Sequence, residues 1–211
     1  MLMMDVVQMR GHSFFALGSA PFVVDLGAND GKFTADVLQA YPGATVLMVE
    51  ADPYLVQKIA ERFRTHPGLQ LYRGLVGAQT QDAVPFHLSR VPEGNSVRRA
   101  FSNHWSPGET REISVPMTTL PDLLAQANPP RIDLLKVDIE GSEWDVLPTL
   151  TPREATLVAQ LSVEFHDFLD PAARPQTEAC IAHLEDLGYT TRCRAAPHVH
   201  GSPYFDCHFY R

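Results

Sequence analysis

Cysteine is sparse in this chain, and the three that occur, Cys180, Cys193 and Cys207, show no C-x-x-C spacing. Without that spacing neither a zinc site nor a disulfide framework is indicated, and a reducing, cytoplasmic setting fits best. Long apolar runs are missing as well. Met1 to Ala20 contains one arginine and no uninterrupted stretch suited to a signal peptide or a membrane span. Positive charge is also in short supply. Lys and Arg number 17 against 25 Asp and Glu, a formal net charge of −8, so the average field repels a phosphate backbone. The adjacent Arg98 and Arg99 form the one tight basic cluster and read as a solvated face rather than a nucleic-acid groove. No G-x-S-x-G elbow is present, which disfavours a hydrolase, and no internal repeat or low-complexity segment occurs.

What is present is a balanced globular composition: 45% hydrophobic and 20% charged over 211 residues, enough for one α/β domain spanning 1–211. From Phe22 onward, short β-rich runs alternate with amphipathic stretches, the pattern of a parallel sheet covered on both faces. The expected strands are Phe22–Leu26, Thr45–Val49, Leu69–Val76, Ile132–Asp138 and Val158–Phe165. Helices are expected over Gly31–Tyr41, from Asp52-Pro53 to about His66, and over Thr119–Ala127, Ser142–Leu150 and Gln176–Leu187. Between Gly77 and Pro116 the rhythm breaks, with β-like pieces at Val84–Leu88 and Glu112–Val115. Tyr189–Arg194 and Tyr204–Tyr210 suit a closing pair of strands.

The first strand runs directly into Asp25-x-Gly27-x-Asn29-x-Gly31, a tight turn before a helix, where backbone approaches a ligand at a helix N-terminus. A dinucleotide fingerprint requires G-x-G-x-x-G; here Asn29 takes the middle position and Gly31 comes early, so a nicotinamide pyrophosphate fits poorly. Asn tolerates the left-handed backbone best after glycine. Glu50 ends the second strand, where Rossmann-like sites place a carboxylate that accepts from both ribose hydroxyls. The bland alternative makes these glycines ordinary turn residues and Glu50 a solvated strand end.

Three blocks in order, VVDLGANDGKFT (Val23–Thr34), VEADP (Val49–Pro53) and LLKVDIEGSEWDVL (Leu134–Leu147), resemble the FkbM family of methyltransferases that use S-adenosylmethionine (SAM). TTLPDLL (Thr118–Leu124) and LSVEFH (Leu161–His166) extend the resemblance over about Phe22–His166. It implies a Rossmann-like class I methyltransferase fold: a mostly parallel seven-stranded sheet, helices on both faces, and a C-terminal antiparallel hairpin. It further implies SAM as cofactor and O-methylation of a small or medium-sized acceptor such as a natural product or sugar. Carried over residue by residue, Asp25, Gly27, Asn29, Gly31 and Glu50 become the cofactor contacts, with Asp52 and the Leu75–Gly77 segment near the adenine. Asp52 precedes Pro53 and has an equal claim as a helix cap. Val91–Arg111 departs from the family pattern and is expected to be a mobile, irregular substrate cover.

In such a sheet the strands for Lys136 and Glu164 are neighbours, and ligands bind beyond the carboxyl ends of the strands. Asn29, Glu50, Asp138, Glu140 and His166 should meet there. Alternation puts Lys136 with Asp138 on one face and Glu164 with His166 on one face. A lysine inside an apolar strand needs an ion partner, for which Glu164 is the natural candidate, whether the pair is catalytic or merely structural. An alcohol acceptor needs a base, so His166, Asp138 and Lys136 are the candidate catalytic residues. Asp138, Glu140 and His166 offer an alternative, ligation of a divalent ion such as magnesium or manganese, although no metal is required by the spacing. His104 and Trp105, in the Val91–Arg111 insertion, are candidates for packing on an acceptor ring, although an exposed Trp could equally pin the loop to the body. His198 and His200 read as a polar hairpin loop. Rival functions are N-methylation on the same fold and a non-catalytic SAM-binding module.

Overall fold

The computed structural model describes residues 5–195 and 202–211, so His198 and His200 lie outside the described residues. Among the described residues there are twelve strands: β1 Val6–Met9, β2 His12–Phe15, β3 Phe22–Leu26, β4 Thr45–Glu50, β5 Leu69–Arg73, β6 Leu75–Gly77, β7 Gln81–Leu88, β8 Arg111–Thr119, β9 Leu134–Val137, β10 Gln160–Glu164, β11 Thr190–Arg194 and β12 Asp206–Tyr210. The helices are α1 Lys32–Ala40, α2 Pro53–Arg62, α3 Arg99–Trp105, α4 Leu120–Ala127, α5 Glu143–Val146, α6 Pro152–Leu157 and α7 Arg174–Asp186.

The central sheet has seven strands in the order β11-β12-β10-β9-β3-β4-β5. β9 lies parallel between β3 and β10, while β12 runs antiparallel to both of its neighbours. This is the expected seven-stranded class I methyltransferase sheet with its closing hairpin. Alternation along each strand divides the core in two. Val24, Leu26, Leu135, Val137, Leu161 and Val163 face a dry layer made by α4, α5, α6 and α7, with Leu120, Trp144, Ala155 and Leu184 among its fully packed members. Val23, Val46, Met48 and Leu134 face the other way, toward Phe33 and Val37 of α1, Ile59 of α2 and Phe14 of β2.

Several local expectations are corrected. The long third strand is two: β5 stays in the main sheet, and after Gly74, whose N–H donates to the Glu50 carbonyl at 2.9 Å, β6 joins a separate three-stranded sheet of order β6-β8-β7. The Val91–Arg111 segment is not irregular. It holds a 3-10 turn, Pro92–Gly94, and helix α3, with Phe101 4% exposed. Trp105 is 39% exposed and its ring lies against Gly94, so it pins this segment rather than facing the cleft described below. Helix α6, closed at its N-terminus by a Thr151/Glu154 capping box, and the hairpin β1–β2 were not foreseen. That hairpin turns through Arg10 and Gly11, both at positive φ (49° and 89°), a turn normally signalled by Asn-Gly rather than Arg-Gly.

The cysteine expectation is also corrected. Cys193 and Cys207 face each other across β11 and β12 and are joined by a disulfide, Cα–Cα 4.0 Å, leaving Cys180 free and buried. Cross-strand pairing depends on register, which spacing along the chain does not reveal, so the argument for a reducing compartment loses its footing. Among the described residues no helix is long and apolar enough to cross a membrane.

Candidate active site

At the carboxyl edge of β3 and β4 a cleft of about 670 Å³, its open mouth included, is lined by Gly27, Asn29, Glu50, Asp138 and Glu140 on its polar side. Ala51, Leu75, Val76, Phe86 and Val97 form its apolar wall. The turn that enters it has the backbone the motif demands. Gly27 (φ 77°) donates to the Val49 carbonyl at 3.1 Å, and a Cβ there would stand 1.9 Å from the Asp138 carbonyl oxygen, so no side chain fits. Asn29 is left-handed at φ 51° and its N–H donates to the Glu50 carboxylate at 2.8 Å. The other Glu50 oxygen accepts from the N–H groups of Ala51 and Asp52, both at 2.8 Å. Burial pushes the Glu50 carboxyl up to about 7, against these backbone donors, which favour its charged form. Glu50 thus presents an oriented acceptor to the cleft, fixed almost wholly by main chain.

Three residues grouped with these by sequence sit elsewhere. Asp25 is fully buried; its carboxylate accepts from the Thr34 hydroxyl at 2.8 Å and pairs with Lys136 at 3.2 Å, beneath the turn rather than in the cleft. Asp52 caps α2 through the Tyr54 N–H (2.9 Å) and accepts from the Asn95 amide (3.0 Å), which ties the Val91–Arg111 segment to the start of α2. Gly31, at φ 76°, is the N-cap of α1 and lies against the Phe63 ring.

Lys136 is 3% exposed. Its ammonium donates to the carbonyls of Leu26 (3.2 Å) and Gly27 (2.7 Å) and pairs with Asp25 and with Asp138 at 3.4 Å, not with Glu164 as expected. Burial alone would lower its pKa, but the two aspartates hold it well above the ordinary lysine value. Lys136 is therefore a fixed cation that fastens the Asp25–Gly31 turn to β9.

Around the ends of β9 and β10 the side chains come from five segments. Asp138 reaches Lys136, His12 (3.6 Å) and His166 (3.8 Å); burial would raise its pKa, but the Lys136 charge, with the contacts from the two imidazoles, keeps it well below the usual carboxylate range. His166 is 1% exposed; its Nδ1 meets Glu143 at 3.0 Å, while its Nε2 faces Glu140 at 3.4 Å, Glu164 at 3.7 Å and Asp138 at 3.8 Å. Burial would depress its pKa, yet Glu140 and Glu143 raise it well above 6.5. In that charged state His166 has no lone pair with which to take a proton. Burial, then the charge of Asp138, pushes Glu164 up to about 9, and Glu140 is raised by burial too. The sequence expectation of Asp138, Glu140 and His166 at one centre matches this geometry: one ligand atom from each lies within 4.8 Å of the others. His12 and Glu143 were missed. His12 arrives on the unforeseen hairpin, with Nδ1 3.2 Å from the Ser162 hydroxyl. Glu143, in the first turn of α5, turns inward and accepts from the N–H of Ile139 and of Gly141.

A second cavity adjoins the first, lined by Arg10, His12, Lys32, Phe33 and Lys136, and the two share Gly27, Asn29, Glu93 and Asp138 as a common wall.

Comparison with known proteins places this arrangement in a family. The methyltransferase FkbM domain matches residues 25–191. The chain is 31% identical over 206 residues to methyltransferase sdnD of Sordaria araneosa, covering 85% of this chain and 78% of that protein. It is 29% identical over 161 residues to methyltransferase 1 of Beauveria bassiana (69% and 65%), so the chain spans just under two thirds of that relative. It is 27% identical over 138 residues to the 2-O-methyltransferase NoeI of Sinorhizobium fredii (60% and 56%). Among solved structures, the Methanococcus jannaschii fibrillarin pre-rRNA processing protein shares the fold alone, with a TM-score of 0.53 at 8% identity over 99% of this chain and 83% of that one. The chain belongs to the FkbM methyltransferase family.

Proposed function

We propose that this methyltransferase, acting as one catalytic unit over residues 1–211, moves the methyl group of SAM to a hydroxyl of a small-molecule acceptor. The carrying observation is the shared wall: two cavities meet at Gly27, Asn29 and Asp138, so a ligand in each would face the other across the end of β3. Glu50 and Asn29 would hold the ribose and the turn the amino-acid end, while Ala51, Leu75 and Phe86 offer an apolar slot for the adenine. Glu50 fits that part because one of its oxygens takes a single backbone donor and retains a lone pair toward the cleft. When bound, SAM supplies an electrophilic methyl that needs no further activation.

The protein's task is alignment and proton removal. The acceptor oxygen forms the new O–C bond, the S–C bond breaks with its electron pair leaving on sulfur, and the hydroxyl proton must go to a base. Asp138, ionised and 27% exposed on the shared wall, is placed to accept a hydrogen bond from that hydroxyl and align it for attack, and because it is held below the ordinary carboxylate range the proton is released through the open cleft to solvent water. His12 and Lys136 hold that carboxylate in place. Arg10 and Lys32 at the rim of the second cavity favour a polar acceptor. The name of the Sinorhizobium relative, a 2-O-methyltransferase, supports oxygen as the acceptor atom.

Incubation with methyl-labelled SAM and a panel of hydroxylated and amine metabolites, followed by mass detection of labelled product, tests this reading. Label on a hydroxyl supports it. Label only on nitrogen assigns N-methylation, and SAM binding without product for any acceptor class marks a binding module.

A further inference from the structure

The side chains beyond β9 and β10 carry more negative charge than their neighbours balance. Four carboxylates, from Asp138, Glu140, Glu143 and Glu164, converge on one imidazole. Lys136 is already committed to Asp25 and to Oδ2 of Asp138. Like charges gathered in a low-dielectric site repel strongly, and either a proton or a cation must relieve them.

The arrangement is ordered as well as charged. Glu143 is fully buried, anchored by the Ile139 and Gly141 N–H groups, and takes the Nδ1 edge of His166 at 3.0 Å. A carboxylate on one imidazole nitrogen fixes the ring and directs the other nitrogen outward, as in carboxylate–histidine–metal sites. That other nitrogen, on a side chain 1% exposed, meets its three carboxylates only at 3.4 to 3.8 Å, longer than close charge-assisted hydrogen bonds of about 2.7–2.9 Å. Glu140 Oε2, turned toward it, is a buried oxygen with no hydrogen-bond partner.

We propose that Asp138 Oδ1, Glu140 Oε2 and His166 Nε2 form a binding site for a divalent cation, with Glu143 as the positioning residue for His166. Adjacent ligands of an octahedral ion with bonds of about 2.1 Å stand about 3 Å apart, so the 3.4 and 3.8 Å from His166 Nε2 to the Glu140 and Asp138 oxygens each need to close by less than an ångström. Carboxylate oxygens with one imidazole suit manganese and magnesium. Asp138 Oδ2 remains with Lys136 and His12, so ligation would not break that pair. The function of the ion rests on the proposed O-methylation: on binding it would displace the proton from His166 Nε2, whose lone pair then ligates it, and beside the shared wall it would bind the acceptor hydroxyl and lower its pKa.

The test separates the site from the reaction. The full chain is stripped with EDTA and titrated with Mn2+ in the absence of SAM, and free Mn2+ is followed by electron paramagnetic resonance. One saturable ion per chain is expected, with a nitrogen coupling from His166 in the pulsed spectrum. Glu140→Gln should weaken binding at least tenfold, and His166→Gln should abolish the nitrogen coupling. Glu143→Gln should weaken binding by about 10- to 100-fold, as loss of an imidazole's outer carboxylate does. Absence of saturable binding, or equal binding in the parent and Glu140→Gln, would overturn the proposal and leave a proton as the relieving charge. Circular dichroism checks each variant. If buried His166→Gln fails to fold, Glu140→Gln, on the loop lining the cleft, still decides. Failure of the methyltransferase reading would show separately, as loss of SAM binding in calorimetry with the Mn2+ site intact.

Discussion

The two halves of the shared crevice are built by opposite means. On the β3–β4 side, Glu50 is held by N–H groups of Asn29, Ala51 and Asp52, and the turn shape comes from positive φ at Gly27 and Asn29. On the β9–β10 side, seven side chains, from His12 to His166, hold one another through charges drawn from distant parts of the chain. A site made of backbone tolerates changes in its neighbours. A site made of mutually dependent ions does not, because each buried charge relies on its partner remaining.

The largest effect should follow from Asp138→Asn. If Asp138 aligns the acceptor hydroxyl or holds an ion, turnover should fall by about 10² to 10⁴ while SAM affinity hardly changes. Parallel loss of SAM affinity in calorimetry would break the division between the two halves.

Next comes Lys136→Met, which leaves the fully buried Asp25 carboxylate with only the Thr34 hydroxyl. Stripping one member from a buried ion pair costs about 3–5 kcal/mol, measured here by urea unfolding. Adding Asp25→Asn should recover part of that loss, and no recovery would mean that the carbonyl bonds from Lys136 to Leu26 and Gly27 dominate instead.

A smaller effect is expected on the backbone side. Glu50→Gln should weaken SAM binding by about 1–3 kcal/mol, the usual cost of losing a charge-assisted hydrogen bond, with turnover at saturating SAM nearly unchanged. A collapse of turnover under those conditions would show that Glu50 does more than anchor the ribose.

The smallest effect is on pH. Ribose hydroxyls need an ionised acceptor, and the free protein holds the Glu50 carboxyl at about 7. SAM affinity should therefore rise with pH until the proton is lost near 7, and fall by up to about tenfold for each unit below it. The profile should be flat in Glu50→Gln, and a slope surviving in that variant would assign the proton to another group.

The same contrast explains what was legible in the sequence. β3, β4 and β9 follow from local runs, their placement in one sheet was implied by the family resemblance, and the turn from Asp25 to Gly31 keeps its geometry within seven consecutive residues. Proximity along the chain was misleading for Asp25, whose partner Lys136 sits opposite it only because β3 and β9 pair in that register. Lys136 could be recognised as needing a carboxylate, but choosing between Asp25 and Glu164 required knowing which neighbour shared its face. His12 carried no signal at all, because its hairpin turns on Arg10 where pattern reading looks for Asn. Helix α3 was hidden by polar residues for a different reason: Ser96 and Arg98 bond the carbonyls of Glu140 and Gly141, so tertiary contacts rather than helix propensity order the segment.

The Cys193–Cys207 crosslink has a geometric consequence well away from redox chemistry. A strand pair can slip by one residue, and such a slip exchanges its faces. With these cysteines joined, β11 is pinned to β12 in a register that puts Arg194 opposite Asp206. Asp206 in turn receives the Ser13 N–H at 3.1 Å and the Ser13 hydroxyl, next to His12 on the hairpin. The covalent clamp at the far edge of the sheet therefore keeps Arg194 beside the same carboxylate that anchors the His12 hairpin, so one aspartate of β12 joins the fastened edge to the strand that enters the crevice.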